Sequence, residues 1–211
     1  MAISTADLAG LPPPVRLRDL MQALATLDAI VSPEWEYRYY SFNARWGDGE
    51  LMGSMRNGGG DELFVLFNAA GAFIKGFDHE RWPPSARAQD VYDRVPAAFR
   101  SGVDEPAFSP DHVTFCCWRT FQDDQWSAAS AQPPEAGGDG SDWMLAGLDG
   151  TPATYLTFAS DYYEVGLDAG RVDAVYRRTP MTLELARGLN PEIDFPWLLG
   201  ELDEIGYPAA P

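Results

Sequence analysis

Between Trp35 and Phe77 the chain alternates apolar and polar positions, and glycine turns interrupt the pattern. Trp35, Tyr37 and Tyr39 alternate with Glu36, Arg38 and Tyr40, which predicts a first strand. A second strand is expected across 43–55, around the turn Gly47-Asp48-Gly49. A polar glycine loop follows over 56–60. Residues 63–67 are continuously apolar, as at the centre of a sheet. Asn68-Ala69-Ala70-Gly71 fits a short hairpin connection to a returning strand over 72–77. Residues 113–121 are rich in β-branched and aromatic side chains and predict one more strand.

The flanking segments follow the helical period. Leu17, Leu20, Met21, Leu24, Leu27 and Ile30 recur at three- and four-residue spacing, which predicts a helix over 15–31. Ser32-Pro33 ends it, because the residue before proline avoids helical geometry. A loop over 79–85 is stiffened by Pro83 and Pro84, and a helix broken near Pro96 is expected over 86–100. Residues 128–142 read as a surface loop. Beyond it come short helices: one capped by Ser141 or Asp142, one begun by Thr151-Pro152, one over 168–177, one begun by Thr179-Pro180 and one over 195–205. Strands first and helices after define an α+β class. The expectation is a single domain over 1–211, with a helix and sheet in 14–127, a loop in 128–142 and a helical part in 143–211. The sheet, from about Trp35 to Phe121, is expected to be antiparallel and covered by helices on one face.

Composition narrows the function classes. The chain has 211 residues, of which 45% are hydrophobic and 13% aromatic, enough for a real core. The formal charge is -17 and the pI about 4.3. Such a surface repels nucleic-acid phosphates and anionic membranes, attracts a basic protein partner, and also serves solubility. No apolar stretch is long enough to span a membrane, and the N-terminus lacks a signal-peptide pattern. Cys116 and Cys117 are adjacent and point to opposite faces of a strand, so no disulfide is expected and a reducing cytoplasm is.

Motifs that would carry chemistry are weak. Gly58-Gly59-Gly60 is followed by Asp61-Glu62 instead of Lys-Ser/Thr, so it is no phosphate cradle. Neither 48–50 nor 139–142 has the spacing of a calcium loop. His79 and His112 are the only histidines, each beside an aspartate, but their spacing with the cysteines specifies no zinc site. The cysteines lie between Phe115 and Trp118, where burial makes inert thiols. The aromatic set Tyr37, Tyr39, Tyr40, Phe42, Trp46 and Phe64 lacks the lysines of an RNA-binding sheet. No cofactor and no metal is therefore expected. The surviving pattern is acidic side chains near turns with tryptophans among them. Trp46, Asp48, Glu50, Asp61, Glu62, Asp78, Glu80 and Trp82 are the candidate partner-binding residues. The competing expectation is a small-molecule or enzyme pocket between sheet and C-terminal helices, using Arg38, Arg45, His79 and His112 with Asp78. A homodimer through the aromatic sheet face is a third reading.

The segments YRYYSFNARW, SMRNGGGDELFVLFNAAGAFIKGFDHE and TFCCWR resemble a group of uncharacterised bacterial proteins, and TYLTFASDYYEV, LARGLNPEIDF and ELDEIGYP extend the resemblance. It implies bacterial origin and a shared fold and transfers no catalytic residue. In general style the chain is also similar to toxin-neutralising immunity proteins such as the SUKH group, although no defining SUKH motif is matched.

Overall fold

The computed structural model describes residues 3–83, 86–131 and 138–210. Helix α1 (Pro14–Val31) leads into a single turn of 3-10 helix at Trp35–Tyr37. Strands β1 (Tyr40–Gly47), β2 (Glu50–Arg56), β3 (Glu62–Asn68) and β4 (Gly71–Phe77) follow. Short helices α2 (Ala88–Tyr92) and α3 (Arg100–Val103) precede β5 (Phe115–Thr120) and β6 (Ser127–Ser130). Helices α4 (Ser141–Met144), α5 (Pro152–Tyr162), α6 (Ala169–Tyr176), α7 (Leu183–Leu189) and α8 (Phe195–Ile205) complete the chain. The strands form one six-stranded antiparallel meander in sequence order. The α+β class is the one the sequence pattern predicts.

Both faces of the sheet are covered, where the sequence suggested one. Phe42, Val65, Ile74 and Cys117 lie on the face packed against α1 and the C-terminal helices. Phe64, Leu66, Phe73, Cys116 and Trp118 lie on the other, under Val91, Tyr92, Phe99, Val103 and Phe108. The cause is in the sequence: LFVLF and its partner AFIKGF have no polar face, so burying only one side would leave aromatic rings in water.

Helix α1 is itself interior. Every residue from Leu20 to Ile30 is buried, so the apolar stripe is only its sheet-facing part. The polar residues inside it are paired: Gln22 Nε2 donates to the Ile205 carbonyl (2.7 Å), and Thr26 Oγ1 to the Gln22 carbonyl (2.8 Å).

Three local expectations change. Residues 35–37 form a turn because Tyr37 N–H bonds the Glu34 carbonyl (3.1 Å) and Arg38 N–H the Trp35 carbonyl (3.2 Å). Residues 128–130, read as loop, finish β6; small side chains there carry no strand signal. Thr182 caps α7 by accepting from Leu185 N–H (3.1 Å), while Met181 bridges to Ala209. Pro84, Ser85 and residues 132–137 of the expected loops lie outside the described residues.

Tight packing at Gly76 gives a test of the sheet. A Cβ there would sit 2.2 Å from Phe115 Cε1, and Phe115 is fully buried. Gly76→Ala should therefore destabilise by about 1–3 kcal/mol, read as a lowered urea midpoint; an unchanged midpoint would contradict this packing.

Candidate functional site

A cross-strand row runs over the second face: Ser41, Ser54, Phe64, Lys75, Cys116 and Ala129. Its β3–β6 part is buried under residues 88–113. Lys75, the only lysine, is enclosed there, donating to the Phe108 and Ser109 carbonyls with Glu62 at 3.4 Å. Burial pushes its pKa down to about 8. At the β1–β2 end the row becomes polar, with Ser41 and Ser54 hydroxyls 2.7 Å apart, and opens onto a groove.

Trp35 stands between two such grooves. The first, about 540 Å³, is lined by Tyr37, Tyr39, Ser41, Ser54, Arg56 and Tyr162. The second, about 290 Å³, is lined by Arg38, Phe42, Trp46, Met52, Glu201 and Glu204, and Trp35 lines both. Trp35 and Tyr37 are each 61% exposed, which is unusual for rings of their size. The Arg56 guanidinium lies over Trp35 (5.9 Å) and over Phe64 (5.3 Å). At the far side Trp46 stacks on Phe108.

The turn carrying Trp35 is fixed from behind. Arg38 is buried, donates to the Ser32 (3.0 Å) and Pro33 (2.6 Å) carbonyls, and pairs with Glu201 (2.5 Å) on α8. Its guanidinium lies over Trp197. Arg45 pairs with Asp203 (2.8 Å), and Asn43 Nδ2 donates to Glu204 (3.4 Å). Glu36 lines the first groove and Glu201 and Glu204 the second, with Glu34 next to Trp35 in the chain; of the two arginines at the grooves, Arg38 is paired with Glu201 and Arg56 lies over Trp35.

Behind the first groove lies a buried carboxyl. Asp28 accepts from Tyr40 N–H (2.6 Å), Tyr155 OH (2.7 Å) and Tyr163 OH (2.8 Å). Tyr163 OH also accepts from Tyr39 N–H (2.9 Å). Burial raises the Asp28 pKa to about 6, and the donated hydrogen bonds only partly offset it. This node ties α1, β1 and α5 together. The rings of Tyr39, Phe158 and Tyr162 pack on one another beside it.

The residues singled out in the sequence divide between the two ends of the sheet, roughly 20 Å apart for strands of this length. Trp46, Asp48 and Glu50 lie at the β1–β2 turn, where Glu50 accepts from Ser101 Oγ (2.6 Å). Asp61, Glu62, Asp78, Glu80 and Trp82 lie at the other end, where Trp82 meets Phe77 edge-on. There Asp61, Asp78 and His79 converge. The four pocket candidates do not: Arg38 and Arg45 pair with α8, His79 meets Asp61, and exposed His112 stacks on Phe77. Cys116 and Cys117 are buried on opposite faces, and burial pushes the Cys116 thiol up to about 12.

Sequence reasoning missed Asp28 and the exposed place of Trp35 between the two grooves. The available signals were a lone acid inside the apolar run LATLDAIV and a tryptophan two residues after the Ser32-Pro33 helix stop. No helix among the described residues is long and apolar enough to cross a membrane. No family model, curated protein or solved structure matches the chain.

Proposed function

We propose that the protein is a non-enzymatic binding module that receives a basic segment of a protein partner across Trp35 and Tyr37. Its most concrete form is an immunity-type inhibitor. The observation that carries this reading is two exposed rings, Trp35 between the two grooves and Tyr37 on the first, on a turn clamped by Arg38 and beside carboxylates. Exposed aromatic anchors on a rigid support, surrounded by charge, are the usual source of affinity at protein interfaces. Charge complementarity favours a basic occupant: the chain as a whole carries -17, and Glu34 and Glu36 flank Trp35. The grooves are open and gather no nucleophile with a base, which favours contact over catalysis.

The charge part of this reading is tested with a Glu34→Lys/Glu36→Lys variant. Capture of a basic protein from the source organism's lysate should weaken as salt rises for the wild type and be weak at all salt concentrations for the variant. Equal capture by both proteins at low salt would overturn it.

A further inference from the structure

A second site lies at the opposite end of the sheet from Trp46. The β3–β4 hairpin pairs Glu62 with Phe77, so the next residues outward, Asp61 and Asp78, face each other. His79 follows, and its Nδ1 lies 2.7 Å from Asp61 Oδ1. One oxygen of each carboxylate and one imidazole nitrogen all lie within 4.8 Å of one another.

We propose that Asp61, Asp78 and His79 bind a divalent first-row transition-metal ion, with Zn2+ the best fit. The two carboxylates are enclosed, with side-chain exposures of 10% and 6%, while the imidazole is 47% exposed. Asp61 faces the His79 ring and Asp78 the Arg81 guanidinium, so a shared dication would take over the charge compensation that these two side chains now give the enclosed carboxylates. Two oxygens and one imidazole nitrogen suit zinc, and His79 leaves the fourth position open to solvent.

Groups behind the three ligands aim them. Asn57 Nδ2 donates to Asp61 Oδ2 (2.6 Å), and Trp143 Nε1 donates to Asp78 Oδ2 (3.0 Å). Glycine backbone lines the flank: a Cβ on Gly140, whose φ is +78°, would lie 2.6 Å from Asp78 Oδ2. The Arg81 Nε stands 3.2 Å from Asp78 Oδ2, the position of a cation that a metal would displace. Neither Cys116, Cys117 nor His112 takes part.

The test is calorimetric titration of chelator-treated protein with ZnCl2, together with thermal unfolding in its presence. One site per chain and a raised Tm are expected for the wild type. His79→Ala, at an exposed position that the core does not use, should abolish both. Trp143→Phe, which removes the indole donor, should weaken binding about tenfold or more. His112→Ala should bind as the wild type does. No heat and no Tm rise at about 1 mM ZnCl2, or binding retained by His79→Ala, would overturn the proposal.

Discussion

Asp28→Ala is expected to cost about 2–4 kcal/mol of stability at neutral pH, because it leaves two tyrosine hydroxyls and the Tyr40 N–H without their acceptor. Asp28 is fully buried, so bulk water cannot replace the lost partner. Its titration supplies a sharper expectation. The native pKa, about 6, lies above the ordinary 3.8. The folded protein therefore holds this proton more tightly than the unfolded chain. The resulting stabilisation is fully present below pH 3.8 and is lost as pH rises through about 6. The shift corresponds to about 3 kcal/mol. Asp28→Asn cannot titrate there, so the wild-type minus variant stability should fall by about that amount between acid and neutral pH. Urea unfolding of both proteins across this window measures it. Parallel profiles would mean that Asp28 stays in one protonation state throughout.

The second large effect is on binding. Trp35→Ala/Tyr37→Ala should leave stability within about 0.5 kcal/mol, because both rings are mostly in water in the free protein. The same change should weaken the partner by about 2–4 kcal/mol, a loss concentrated in the off-rate. Reversing Glu34 and Glu36 should act on the on-rate instead. Separating the two by surface-binding kinetics distinguishes an anchored interface from diffuse attraction to an acidic surface. The chemistry of the chain helps here. Its single lysine is buried, so carbodiimide crosslinks at the rim carboxylates must run to amines of the partner or to a chain terminus.

Much of the fold was legible because its signals are local. The strands β2 to β4 are bounded by glycine turns, and α1 carries a clear helical period. The Asp61–Asp78 juxtaposition was also within reach. Once Asn68 and Gly71 close the hairpin, counting back along both strands places the two aspartates opposite each other. The Trp35 turn was not legible, because alternating aromatics imitate a strand and the hydrogen bonds that make a turn leave no mark on the sequence. The Asp28 node was hidden for another reason. Tyr155 and Tyr163 lie 127 and 135 positions away, so only the packing of α5 on α1 and β1 brings them to the carboxyl. The cover on the second face was hinted at by a strand pair with no polar side, but the short helices that supply it have little periodicity of their own.

The most direct measurement is a side-by-side capture from the source organism's lysate at low salt, using wild type and Trp35→Ala/Tyr37→Ala as baits, with mass spectrometry of both eluates. The account predicts a stoichiometric basic protein with the wild type that is missing with the double variant. The same protein at equal yield on both baits, or no stoichiometric protein on either, would contradict it.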